Sequence, residues 1–148
     1  MMARRASPAG TNRIGRVLSG PPDSALQGRN DVKYGFDLDG TLDHPPILAE
    51  ANAAFDAGHE VHIITGYLPG TSYDRPMKVA KLQALGARYT ALHMACGPTL
   101  EHIGMEKARL VRELGLAQMI DDSPIFVEAM RRWTSARIVE LRHSVAVR

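Results

Sequence analysis

Five short apolar runs, rich in β-branched residues, recur between residues 33 and 141, with stretches of helical spacing between them. The first run, Lys33 to Leu38, passes directly into Asp37-Leu38-Asp39-Gly40-Thr41-Leu42, where two carboxylates at i and i+2 precede a glycine turn. His44-Pro45-Pro46 then introduces a helix over Ile47 to Ala57, with Leu48, Ala51, Ala54 and Phe55 at helical spacing and Gly58 as its stop. The second run, Glu60 to Thr65, is continuous rather than alternating, which predicts a strand covered on both faces. Beyond a loop over 66–76, Met77 to Leu85 sets Val79, Leu82 and Leu85 on one side of a helix that Gly86 closes. A third strand is expected over Arg88 to Met94, irregular chain over 95–104, and a helix over Glu106 to Leu114 ended by Gly115. A fourth strand over Ala117 to Asp121, a helix over Pro124 to Trp133 and a fifth strand over Arg137 to Leu141 complete the pattern. Strands alternating with helices demand a parallel sheet with right-handed crossovers, so the fold class is α/β.

Composition changes this picture only at its edge. A chain of 148 residues with 45% apolar content has the size and core of one globular domain. No apolar run approaches the ~18 residues that a membrane span requires. The single cysteine, Cys96, excludes an internal disulfide framework and fits a reducing, cytoplasmic setting. Residues 1–32 hold five arginines against Asp23 and Asp31, while residues 33–148 are close to neutral, so the basic balance belongs to the leader. Residues 1–31 therefore read as a flexible basic tail ahead of a domain over 32–148. Their Arg-rich start also resembles an organelle transit peptide, and a weak electrostatic arm is a further reading.

The chemistry gathers at strand ends. In a strand, i and i+2 point the same way, which would aim Asp37 and Asp39 at one spot at the carboxyl mouth of the sheet, where open α/β sheets bind ligands. Two carboxylates so placed repel each other unless a cation or a proton compensates. The stretch Asp37 to Leu42 resembles motif I of the haloacid dehalogenase-like superfamily, DxDGT after an apolar strand. The superfamily's other marks have counterparts in Thr65 of Val61-to-Gly66, Lys107 of Gly104-to-Leu110 and Asp121-Asp122 of Gln118-to-Pro124.

The resemblance, which covers about residues 34–141, implies a Rossmann-like three-layer αβα sandwich with a five-stranded parallel sheet in the order 3-2-1-4-5. It implies a hydrolase, a Mg²⁺-dependent phosphatase that cleaves phosphomonoesters through an aspartyl-phosphate on Asp37. Asp39 would serve as general acid and base. Thr65 would donate to the phosphoryl group, helped by the backbone of Gly66, and Lys107 near a helix start would offset its charge. Mg²⁺ would be held by Asp37, the backbone carbonyl of Asp39, Asp122 and Asp121 behind it, a hard-oxygen set suited to that ion.

The spacing leaves no room for a cap domain, so the site should be open. Such a site would admit a phosphorylated small molecule, a nucleotide or a nucleic-acid end, or would borrow a lid within an oligomer. The loop from Gly66 to Arg75 carries Tyr67 and Tyr73, which could stack on a base or sugar, and Arg75, which could bind a second anion. The six histidines show no metal-ligand spacing, and His44 sits where it could line the entrance. The alternative function is a non-hydrolytic phosphate-binding or assembly module on the same fold, since fold alone never secures function.

Overall fold

The computed structural model describes residues 32–143, so the expected basic tail lies outside the described residues. The strands are β1 (Lys33–Phe36), β2 (Glu60–Tyr67), β3 (Ala91–Cys96), β4 (Gln118–Asp121) and β5 (Arg137–Glu140). The helices are α1 (Pro45–Asp56), α2 (Arg75–Leu85), α3 (Leu100–Leu114) and α4 (Pro124–Trp133). All strand pairs are parallel and the order is β3-β2-β1-β4-β5. The fold is the expected αβα sandwich.

Alternation along the central strands divides the core into two layers. Tyr34, Phe36, Val61, Ile63 and Ile120 pack with Leu38, Ile47, Ala51, Ala54 and Leu82 on the face covered by α1 and α2. Ile64, Ala95 and Met119 pack with Ile103, Ala108, Val111, Val127 and Met130 on the face covered by α3 and α4. Neighbouring residues such as Ile63 and Ile64 thus belong to opposite layers, which is why β2 reads as an unbroken apolar run. Gly35 faces the second layer, where a side chain would collide with Leu116 and Met119, its nearest carbon atom 2.5 Å away.

Three boundaries differ from the pattern along the chain. β1 ends at Phe36, two residues early, because the backbone turns tightly through Leu38–Leu42 with Gly40 at φ 82°. β3 is displaced toward Cys96, its first partner pair being His62 with Ala91. α3 begins six residues before Glu106, since the Thr99 side chain accepts from the His102 N–H and caps a turn that Gly97-Pro98 had made look irregular. Asp74 and Ser123 cap α2 and α4 in the same way.

A histidine pair crosses the edge of the sheet. His62 Nδ1 lies 2.9 Å from His93 Nε2, and His62 Nε2 lies 2.8 Å from Glu60 Oε1. Burial, then His62, then Arg75 hold the His93 pKa below the ordinary value of 6.5. The unfolded chain therefore takes up this proton more readily than the folded one, so the stability is present above pH 6.5 and is lost as pH falls below it. Thermal melts between pH 7.5 and pH 5 should show that decline, and His93→Gln should flatten it. An identical acid slope in the variant would contradict the assignment.

Candidate functional site

The carboxyl ends of β1, β2 and β4 meet at one mouth, and the side chains there form two groups. In the first, Lys107 of α3 is fully buried and its Nζ donates to Asp37 Oδ1 at 2.9 Å and to Asp121 Oδ2 at 2.6 Å. The Phe126 ring lies 4.5 Å from the same ammonium. Thr41 Oγ1 donates to the other oxygen of Asp37 at 3.2 Å, and the Ser123 N–H donates to Asp121 Oδ1. Asp122 completes the group: one oxygen from each of Asp37, Asp121 and Asp122 lies within 4.8 Å of the others.

Three carboxylates against one ammonium leave this group with an excess of negative charge. Burial, the largest influence, together with Asp121 and Asp122, pushes the Asp37 pKa up to about 7 despite the opposing pull of Lys107. Burial alone would lower the Lys107 pKa, but the charges of Asp37 and Asp121 outweigh it and hold the ammonium above its ordinary value.

The second group is built around Asp39. Its Oδ1 accepts from Lys81 at 2.7 Å and from the Tyr73 hydroxyl at 2.8 Å, and its Oδ2 accepts from Lys78 at 3.1 Å. Lys78 also donates to Thr65 Oγ1 at 2.7 Å and to the Gly66 carbonyl at 2.9 Å, and it lies over the Tyr73 ring. Lys81 extends the network to Asp43. Burial would raise the Asp39 pKa, yet the bonds from Lys81, Tyr73 and Lys78 hold it below the usual carboxylate range.

The expected residues are thus distributed, not gathered at one point. Asp37, Lys107, Asp121 and Asp122 come together. Asp39 and Asp37 have separate partners, Lys78, Lys81 and Tyr73 for the one and Lys107 and Thr41 for the other, and β1 ends at Phe36 before either. Thr65 accepts from Lys78, and Gly66 lies inside β2 opposite Ala95. Lys107 sits two turns into α3 and not at its start. Arg75 donates one N–H to the Leu92 carbonyl on β3, and Tyr73 is engaged by Asp39 and Lys78.

Sequence reasoning missed Thr41, Lys78, Lys81 and His143. His143, beyond β5, shares a 2.8 Å hydrogen bond with His44 and lies 3.0 Å from Asp122 Oδ2, which links His44 to the acidic group through one residue. Of these only Thr41, the threonine of the DxDGT stretch itself, had a visible signal. A lysine on an amphipathic helix normally reads as solvated, and nothing local marks Lys78 as an exception.

Gly40 permits this arrangement. A Cβ there would lie 2.2 Å from Asp122 Oδ2, so the turn and the acidic pair approach each other only across a glycine. Among the described residues no helix is long and apolar enough to cross a membrane.

No protein-family model matches the sequence, and no curated protein matches it. Solved structures do, two of them as follows. One, a universal stress protein in complex with cAMP, is 12% identical over 76% of this chain and 98% of its own, with a TM-score of 0.48. The other, a member of the universal stress protein family from Burkholderia pseudomallei, is 15% identical over 78% of this chain and 99% of its own, with a TM-score of 0.50. At that identity the likeness is one of fold. It overturns the haloacid dehalogenase-like assignment, because the second structure, whose fold this chain shares, belongs to the universal stress protein family, and the activity that rested on that assignment goes with it: phosphatase, hydrolase and phosphomonoester cleavage through Asp37 have no support. What the comparisons establish for this chain is a parallel α/β fold of the kind found in universal stress proteins.

Proposed function

We propose that the domain binds a phosphorylated small molecule, of nucleotide type, through a divalent cation and without turnover. The observation that carries this reading is the convergence of Asp37, Asp121 and Asp122 beside a single buried ammonium. The donors are hard carboxylate oxygens, which fits Mg²⁺ and not a soft metal. Their excess negative charge, expressed in the raised pKa of Asp37, supplies the electrostatic reason for a cation to enter. Asp37 and Asp122, with Asp121 and the backbone carbonyl of Asp39 in support, would hold the ion. Bound there, it would neutralise the carboxylates and offer its remaining positions to phosphate oxygens.

Thr65 and Lys107 are the chain's own groups for the phosphate: a hydroxyl donor and a buried positive charge. Binding is favoured over chemistry because Asp39 is held ionised by two lysines and a tyrosine, and an ionised carboxylate is a poor proton donor near neutrality. A cytoplasmic setting, with its free Cys96 at the end of β3 and its ample Mg²⁺, belongs to the same reading.

Thermal melts with EDTA and with millimolar Mg²⁺ test the metal. A 100-fold excess over Kd stabilises by about 2.7 kcal/mol, a shift on the order of 5–11 °C. Asp122→Ala should abolish most of that shift while raising metal-free stability slightly, through relief of repulsion. Equal shifts in both proteins would place the metal elsewhere. Calorimetric titration of AMP, ADP and inorganic phosphate should then show binding that depends on Mg²⁺, and sustained phosphate release would contradict the absence of turnover.

A further inference from the structure

Lys78 is a lysine in an unusual place: on α2, one turn past its cap, yet only 3% exposed. A lysine ammonium has three donors and no acceptor. Here all three are accounted for, by Thr65 Oγ1, the Gly66 carbonyl and Asp39 Oδ2. Thr65 itself is 1% exposed, and among the described residues its hydroxyl accepts from Lys78 and donates to nothing. A hydroxyl carries one proton. With a lone pair occupied by an obligate donor, that proton is left to point away from the lysine.

α2 is anchored so that Lys78 cannot drift. Arg75 donates to the Leu92 carbonyl one turn before it, and Lys81 bonds Asp39 and Asp43 one turn after it. The ammonium is therefore delivered to Thr65 by a fixed helix and not by a flexible loop.

We propose that Lys78 is a positioning residue: it fixes Thr65 as a hydrogen-bond donor toward the ligand, and so selects groups that accept, such as phosphate oxygens, over ammonium groups, which only donate. This rests on the phosphate-binding reading above and adds to it the residue that sets ligand class. Lys78 acts through Thr65 and does not itself touch the ligand, since its three protons remain with their present partners.

A double-mutant cycle read by calorimetry with inorganic phosphate and with AMP, each in millimolar Mg²⁺, tests this. Thr65→Val and Lys78→Met should each weaken binding by roughly 10- to 100-fold, the range for a hydrogen bond to a charged group. Because the two act as one unit, the double variant should bind no more weakly than Thr65→Val alone. Additive losses, or an unchanged affinity in Lys78→Met, would overturn the proposal while leaving phosphate binding intact. Failure of the unaltered chain to bind either probe would overturn the phosphate reading and this inference together. The Mg²⁺ melting shift, measured in parallel, reports whether Lys78→Met remains folded. If it does not fold, ¹⁵N-lysine NMR of the unaltered chain decides: the Lys78 ammonium signal should move as phosphate saturates the site. An unmoved signal would overturn the proposal.

Discussion

Replacement of Lys107 by methionine should lower the melting temperature by on the order of 10–20 °C at pH 8 without metal. Methionine keeps the unbranched stem, so the packing against Phe126 survives and the change is chiefly electrostatic. It leaves Asp37 and Asp121 buried with no cation, and removal of one partner from a buried ion pair typically destabilises by about 3–5 kcal/mol. For a domain of this size each kcal/mol moves the melting point by several degrees.

Acid should recover part of the loss. Even with Lys107 present, Asp37 has a folded pKa of about 7 against an ordinary 3.8. The folded chain thus binds this proton more tightly, and the stability it confers at low pH is lost as pH rises from 3.8 through 7. Without the lysine that dependence should steepen, so the variant's deficit should narrow toward pH 5. Mg²⁺ should narrow it as well, by replacing the missing positive charge. A variant that melts within two or three degrees of the parent at pH 8 would show that the triad carries little of the fold's stability.

The second large effect is expected at Gly40. Its φ of 82° lies in the left-handed region, where a side chain costs roughly 1–2 kcal/mol before any contact is considered. An added Cβ would also lie 2.2 Å from Asp122 Oδ2 and 2.9 Å from its Cγ, so the carboxylate must leave its position. Gly40→Ala should therefore do two things at once: lower the melting temperature by roughly 5–10 °C, and remove most of the Mg²⁺ shift. The two causes separate in a double variant. Asp122→Ala opens the space that the new methyl group needs, so without metal it should raise the melting temperature of Gly40→Ala by more than it raises that of the parent. If the two changes simply add, the close approach of turn and carboxylate is not the source of the strain.

The architecture was legible because its signals are local and repeated. The unbroken run Val61 to Ile64 can be buried on both faces only in a covered parallel sheet, and Ser123-Pro124 marks a helix start within one residue. The convergence of Asp37 with Asp121-Asp122 was also foreseeable, since parallel order sends those strand ends to one side, whereas Lys107, two turns into α3, followed only from the resemblance. The orientation of Asp39 was not. It depends on where β1 stops, and a single residue of strand length reverses a side chain. Lys78 and Lys81 were hidden because helical spacing does not distinguish a lysine over a carboxylate from one over water. The family assignment failed for a related reason: short strand-end motifs fit the sheet that carries them, and the likeness of the whole fold lies with universal stress proteins.

The pairing of β1 with both β2 and β4 has a kinetic consequence. Asp37 follows β1 and Asp121 ends β4, and no pairing of β1 with β2 brings them together. They meet only when β4 docks on the far side of β1, a contact that must first close a long loop. The carboxylate cluster is then a late arrival on the folding path, assembled in the step that completes the centre of the sheet. A chain interrupted before Asp121 would keep β1, β2, β3 and α3 in sequence, and yet lack two of the three carboxylates of the cluster.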